Sequence, residues 1–248
     1  MTVERVIENI VNDIKEFFID PEIKAVIGIS GGKDSTITAA LLTRALGPER
    51  VIGVMMPNGE QSDIADSIRV CELLGIRNYT INIKDTYQNL CEDFVNHTNL
   101  ALTSQIETNT PSRLRMTTLY MIAAAVNGRV VGTTNESEWF IGYFTKWGDS
   151  GYDFAPLKWY TVGEVLQIGD VLGLPYDLVH KTPSDGMCGK SDEEQMGISY
   201  KEIDDYLNND GISLTKEVYD KIDSMSYKAS HKRELAPGII NYFNLPED

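Results

Sequence analysis

Val3, Ile7, Ile10, Ile14 and Phe17 recur at helical spacing, which predicts an amphipathic first helix ending before Asp20-Pro21. Residues 24–29 then form a short β-branched apolar run, the pattern of a strand buried on both faces of a parallel sheet. From Ser35 the period becomes helical again, with Ile37, Ala40, Leu41 and Ala45 on one face, until Gly47-Pro48. Residues 50–56 predict a second buried strand stopped by Pro57-Asn58-Gly59, and 62–74 a helix closed by Gly75. Residues 79–83 read as a third strand and 86–96 as a further helix. Residues 98–110 are polar and weakly periodic, and Pro111 predicts the start of a helix carrying Leu114, Leu119, Ile122, Ala123 and Val126. Residues 129–132 give another short strand. Two glycine- and serine-bearing stretches, 142–153 and 182–192, read as a mobile closing loop and a second flexible loop, and helices follow at 161–172, 200–208 and 215–228. Strand–helix alternation with short connections predicts an α/β fold with a doubly wound parallel sheet, whose ligands sit at the carboxyl ends of the strands.

With 248 residues the chain can bury one sizeable core, and residues 1–248 read as a single domain. Thirty-seven acids against 22 bases leave a net charge of −15, which argues against a nucleic-acid partner. An anionic small molecule needs only a local cluster of Lys and Arg. Three widely spaced cysteines (Cys71, Cys91 and Cys188) without a C-x-x-C fit a reducing compartment, not a zinc site or disulfide framework. The amino-terminal residues lack a signal core and no apolar run reaches membrane-spanning length, so the expectation is a cytoplasmic protein with no membrane partner.

Between the strand at 24–29 and the helix after it lies Ser30-Gly31-Gly32-Lys33-Asp34-Ser35. Glycines let backbone approach a ligand closely, and the free N–H groups at the helix start point at an anion. The stretch fits neither G-x-x-x-x-G-K-[ST] nor G-x-G-x-x-G. Instead Asp34 stands where the anion would bind. Its carboxylate would repel phosphate unless a divalent cation lies between them, which implies Mg²⁺ shared by Asp34 and pyrophosphate oxygens. The end of the strand at 129–132 brings Glu138 to the same crevice. Lys33 fills the variable position of the loop, where it would either help bind phosphate or point to solvent.

The S-G-G-x-D-S loop resembles that of the N-type ATP pyrophosphatases, enzymes that cleave ATP between the α and β phosphates to adenylate an acceptor. Further stretches resemble the ammonia-dependent NAD synthetase family in particular. Arg113-Leu114-Arg115-Met116 is similar to its R-x-R-M. Gly132-Thr133-Thr134-Asn135-Glu136-Ser137-Glu138 is similar to its G-T-x-N-x-S-E, and Gly142-Tyr143-Phe144-Thr145-Lys146-Trp147-Gly148-Asp149 to its G-[YF]-x-T-[KI]-[YF]-G-D. Lys181-Thr182-Pro183-Ser184 with Ser191-Asp192-Glu193, and His231-Lys232-Arg233, follow in the family's order. The resemblance implies an adenine nucleotide alpha hydrolase-like fold, a Rossmann-like three-layer arrangement. It also implies a ligase that converts nicotinic acid adenine dinucleotide (deamido-NAD) to NAD with ATP and ammonia, through an NAD-adenylate.

By the same resemblance Gly28, Ile29, Ser30, Gly31, Gly32, Lys33, Asp34, Ser35, Thr133 and Ser184 would bind ATP. Asp34 and Glu138 would hold Mg²⁺, while Arg113, Lys146, Asp153, His231 and Lys232 would hold deamido-NAD. Asp34, Lys146 and Ser184 would carry catalysis. The chain departs from the family at Val162, where a Lys is frequent and for which Lys158 is a substitute candidate, and at Asp185 to Gly189. Residues before the central strand leave no room for a glutaminase domain, so free ammonia is the expected nitrogen donor. The family implies a homodimer, with the first helix and the helix after Pro111 as interface faces. A tRNA-modifying pyrophosphatase would be expected to carry a basic face. A non-catalytic ATP-binding module would leave Glu138, Lys146, His231 and Lys232 without a role.

Overall fold

Successive residues of a strand point to opposite faces of a sheet, and here each face finds its own helical layer. The computed structural model describes residues 1–61, 64–181, 191–209 and 213–234. Strands β1 (Lys24–Gly28), β2 (Val51–Met55), β3 (Arg77–Thr80) and β4 (Gly128–Val131) form a parallel four-stranded sheet in the order β3-β2-β1-β4. Val26 of the central β1 pairs with Ile52 on one side and Val130 on the other. The helices in chain order are α1 (Val3–Phe17), α2 (Lys33–Leu46), α3 (Ile64–Leu74), α4 (Lys84–Thr98), α5 (Ser104–Val126), α6 (Glu136–Ile141), α7 (Val162–Val171), α8 (Tyr176–Val179), α9 (Asp192–Met196), α10 (Tyr200–Asn209) and α11 (Lys216–Arg233).

Ala25 and Ile27 face a cluster built by Ile7, Ile10 and Ile14 of α1, Ile37, Leu41 and Leu42 of α2, and Val165 and Ile168 of α7. Val26, Ile52, Val54 and Val130 face the opposite way, onto Ala123, Leu119 and Ile122 of α5. The result is the expected doubly wound, three-layer α/β sheet. A third cluster (Ile141, Val162, Met196, Ile203 and Ile222) joins α6, α7 and α9 to α10 and α11.

Three boundaries differ from the pattern-based expectation, one of them the end of the last helix, expected at 215–228, which runs Lys216–Arg233 and carries His231 and Lys232 in its last turn. The helix expected to begin at Pro111 begins at Ser104, where the Thr103 hydroxyl accepts from the Ile106 N–H at 3.3 Å. Proline inside a helix lacks a donor for the preceding turn and costs ~3 kcal/mol. That deficit is offset on both sides of it: Asn109 accepts from Thr145 Oγ1 at 2.9 Å, Ser112 donates to Asp149 at 2.9 Å, and Pro111 itself is buried. The third strand, expected at 79–83, is Arg77–Thr80, because pairing to Ile52–Met55 sets its register; Ile81 and Ile83 still donate to the Met55 and Pro57 carbonyls at 2.9 Å. The stretch 142–153, expected as a mobile closing loop, is a turn with hydrogen bonds of its own. Asp149 accepts from the Thr145 N–H at 2.8 Å, and Ser150 Oγ donates to the Thr145 carbonyl at 3.0 Å. The expected flexible loop at 182–192 falls, up to residue 190, outside the described residues.

Candidate active site

At the carboxyl end of β1 the chain turns through Ile29-Ser30-Gly31-Gly32 into α2. Ile29 donates to the Val54 carbonyl at 2.9 Å, which extends the strand to the lip of the loop. Ser30 Oγ accepts from the Gly32 N–H at 3.2 Å and lies 3.1 Å from Ser35 Oγ, which in turn donates to the Gly32 carbonyl at 3.0 Å. The two serines thus set the shape of the loop. Gly31 has φ +77°, and a Cβ there would lie 2.9 Å from the Asp66 Cβ, so the turn admits no side chain. The helix begins on Gly32, which offers no side-chain cap. Its first-turn N–H groups are thereby left for an anionic ligand.

Asp34 and Glu138, from different strand ends, are joined through Asn135. The Asn135 amide donates to Asp34 Oδ1 at 3.1 Å, while its carbonyl oxygen accepts from the Glu138 N–H at 3.0 Å and its backbone N–H donates to Glu138 Oε2 at 3.3 Å. The last two bonds are the capping box of α6. Lys33 is 5% exposed, and its ammonium lies 2.8 Å from Asp34 Oδ2 and 5.3 Å from the centroid of the Tyr200 ring. Tyr200 and Tyr143 donate to the two oxygens of Asp192 at 3.3 and 3.2 Å.

The electrostatics follow from this crowding. Burial, followed by the charge of Asp34, pushes the Glu138 carboxyl up to about 8, against the pull of Lys33 and of the Asn135 N–H. Burial alone would favour a neutral Lys33, yet Asp34, Glu138 and Asp192 together hold its ammonium above the ordinary value. Burial, then Glu138, Asp192 and Asp34, raises the Tyr200 phenol far above its usual range. Around Lys33, the carboxyl groups of Asp34, Glu138 and Asp192 therefore face one ammonium, with Glu138 holding its proton until the pH nears 8. Among the described residues no group of three or more His, Cys, Asp or Glu side chains makes a ready metal cage. One or two carboxylates completed by substrate phosphates is the ordinary way of holding Mg²⁺, and Asp34 with Glu138 beside an anion loop fits it.

A second group of predicted residues comes together between α5, the 142–153 turn and the end of α11. Arg113, Lys146, His231 and Lys232 line a cavity of about 440 Å³ with Asn109 and Thr145. Lys146 Nζ donates to the His231 carbonyl, and Arg113 donates through Nε and Nη2 to the Lys146 carbonyl at 3.3 Å. Lys232 Nζ donates to the Gly142 and Phe144 carbonyls at 2.8 and 2.7 Å, which binds the end of α11 to the end of α6.

Asp153 stands elsewhere. Its two oxygens accept from the Val130 N–H at 2.8 Å and the Tyr120 hydroxyl at 3.0 Å, at the β4 edge of the sheet. Thr133 is half-buried just past β4. Ser184, and the departures at Asp185 to Gly189, lie outside the described residues. Val162 is buried in the third cluster, and the start of α7 is closed by protein groups: Ser137 Oγ accepts from the Val162 N–H at 3.0 Å and Asp204 from the Gly163 N–H at 2.7 Å. Lys158 lies 3.8 Å over the Trp139 ring and 5.1 Å from that of Trp159.

Four residues of the acidic site were not singled out by sequence reasoning. Asn135 carries a local signal, its N-x-x-E spacing to Glu138 at the start of a helix. Asp149 and Asp192 lie inside the motifs Gly142 to Asp149 and Ser191-Asp192-Glu193 without a role assigned there, and Tyr200 carries no signal, because packing and not spacing brings it near Asp34 and Glu138.

Comparison with known proteins matches residues 3–236 to the family model "NAD synthase". The NH(3)-dependent NAD(+) synthetase of Thermococcus sibiricus is 38% identical over 94% of this chain and 96% of its own. That of Pyrococcus furiosus is 37% identical over 95% and 94%. Among solved structures, an NMN synthetase from Francisella tularensis superposes with a TM-score of 0.86 at 34% identity, covering 96% of this chain and 99% of that one. An NH3-dependent NAD synthetase from Campylobacter jejuni superposes with a TM-score of 0.78 at 25% identity, covering 97% and 100%. With residues 3–236 matched by the family model and relatives 37–38% identical over nearly the whole chain, the chain belongs to the NAD synthase family.

Proposed function

We propose that this chain catalyses the ATP-dependent amidation of deamido-NAD to NAD with ammonia as nitrogen donor, releasing AMP and pyrophosphate. The observation that carries this reading is the Asp34–Asn135–Glu138 linkage beside an uncapped helix start, which pairs a phosphate cradle with acids that need a cation. The nicotinate carboxylate attacks the α-phosphate of ATP and expels pyrophosphate. Ammonia then attacks the acyl carbon of the adenylate, and AMP leaves as the amide forms. No covalent bond to the protein is needed, so the chain's work is alignment and charge neutralisation.

In this reading the loop from Gly28 to Ser35 orients the phosphates, with Thr133 and Ser184 as further ATP contacts. Asp34 and Glu138 would hold Mg²⁺, which would supply positive charge to the departing pyrophosphate. Arg113, Lys146 and His231 face the acceptor. Lys232 lines the same cavity and faces the acceptor too, while its bonds to the Gly142 and Phe144 carbonyls hold the end of α11 in place. Asp153, its oxygens engaged by Val130 and Tyr120, acts through the β4 edge unless the acceptor displaces one of them.

A second acceptor is favoured by one observation, the TM-score of 0.86 to an NMN synthetase. A mononucleotide carries the same nicotinate carboxylate without the adenylate half. The test is amide formation with ATP, Mg²⁺ and ammonium or glutamine, offering nicotinic acid adenine dinucleotide and nicotinic acid mononucleotide in parallel. NAD formed with ammonium alone, and lost in Asp34→Ala, is the expected result. A higher kcat/KM with the mononucleotide would transfer the assignment to that acceptor, and no amide from either would sink the ligase reading.

The same proposal treats residues 1–248 as one domain, supported by α7, which gives Val165 and Ile168 to the sheet cluster and Val162 to the third. It places the protein in the cytoplasm, supported by free, buried Cys71 and Cys91. It also makes the protein a homodimer through α4, α5 and β3. The α1 face expected to share that interface buries Ile7, Ile10, Val11 and Ile14 within its own chain.

A further inference from the structure

Lys33 stands at the position of the loop that the S-G-G-x-D-S motif leaves open, and its side chain is turned inward. It is 5% exposed, its ammonium is 2.8 Å from Asp34 Oδ2, and the Tyr200 ring lies beneath it at 5.3 Å. Tyr200 is tied to Asp192 through its hydroxyl, and Glu138 is tied to Asp34 through Asn135. The ammonium therefore sits among Asp34, Glu138 and Asp192, where the proposed reaction needs a divalent cation. Both oxygens of Asp34 are engaged, Oδ1 by Asn135 and Oδ2 by Lys33. An ammonium and a metal ion compete for the same lone pairs and the same negative field. A partly buried carboxylate stripped of its partner is unfavourable, so Asp34 keeps the Lys33 ammonium until another cation replaces it.

We propose that Lys33 is a tethered counter-ion that fills the divalent-cation site of the nucleotide-free enzyme, so that metal enters only as the ammonium moves off Asp34. The phosphates of ATP, arriving at the α2 start one residue away, are the natural destination for that ammonium. Metal and nucleotide then bind together, and free metal binds weakly. This rests on the reading of Asp34 and Glu138 as the metal's protein ligands.

The experiment is Mn²⁺ binding to metal-stripped, nucleotide-free protein, followed by the electron paramagnetic resonance signal of free Mn²⁺. Wild type is compared with Lys33→Met and with Lys33→Gln, which removes the charge but keeps a donor to Asp34 and serves if the methionine variant does not fold. Each is repeated with Asp34→Asn as the control for site. Removing the charge is expected to tighten Mn²⁺ binding about tenfold or more, and to enlarge the rise in thermal midpoint that Mn²⁺ produces. Binding that Asp34→Asn abolishes, but that is no tighter without the Lys33 charge, overturns the counter-ion alone. Absence of Mn²⁺ binding from wild type and variants alike overturns the metal site together with it.

Discussion

Glu138 is the residue whose protonation couples the acidic site to pH. Its carboxyl titrates near 4.5 when unfolded and is pushed up to about 8 in the folded, metal-free protein by burial and by Asp34. A raised carboxyl binds its proton more tightly in the folded state. Its contribution to stability is therefore fully present below 4.5 and is lost as pH rises through the window to about 8. In Glu138→Gln that loss is expected to disappear. The thermal midpoint in chelator, measured between pH 5 and pH 8, should fall more steeply for wild type than for the variant. Equal slopes would show that Glu138 is ionised throughout. The loop itself was legible at this scale, because Ser30 to Ser35 forms one contiguous signal after a buried strand. Lys33 was not: a lysine in a variable position reads equally as a phosphate ligand or as a solvated charge. Its partners Tyr200 and Asp192 lie more than 150 residues further along the chain.

Among elements, the contact between α6 and α11 sets the geometry of the basic cavity. Gly142 ends α6 at φ +74°, and a Cβ built there would lie 2.1 Å from the Ala229 Cβ of α11. Gly142→Ala combines a left-handed backbone, ~1–2 kcal/mol for a residue with a side chain, with overpacking of ~1–3 kcal/mol. It is expected to lower stability by several kcal/mol in urea and to push α11 off α6, carrying His231 and Lys232 with it. KM for the nicotinate acceptor should rise while ATP affinity, set on α2, is kept. A rise in both alike would remove α11 from the acceptor site. The alternation of strands and helices was legible because buried strands and amphipathic helices carry different periods. Pro111 misled because its local cost is visible in sequence, whereas the Asn109–Thr145 and Ser112–Asp149 bonds that support the helix around it are not. Short helices such as α6 and α9 escaped for want of a full apolar period.

For the whole molecule, the surface is uneven in a way that a chain of net charge −15 must account for. The α1–α2–α7 layer exposes Phe17 and Val171 on its helices, but more apolar residues are exposed on and around α4, α5 and β3. Met121 on α5 is 68% exposed, Leu90 and Val95 on α4 are exposed, and so are Leu100 and Leu102 between them. The edge strand β3 is exposed at every residue, and Tyr79 and Ile81 add to the same apolar region. Exposed edges and contiguous apolar surface are ordinarily covered by a partner or they aggregate. A second copy of this chain carries the same net charge. The association must then come from apolar burial and must overcome long-range repulsion, which salt weakens. Light scattering is expected to give a dimer whose dissociation constant falls as salt is raised, the reverse of an interface held by ion pairs. Met121→Asp and Val95→Asp should each shift the protein toward monomer at micromolar concentration, while exposed α1 substitutions such as Glu8→Ala leave it dimeric. A wild type monomeric at every salt concentration would remove the dimer. A dimer broken by the α1 change but not by Met121→Asp would move the interface to the other face of the sheet.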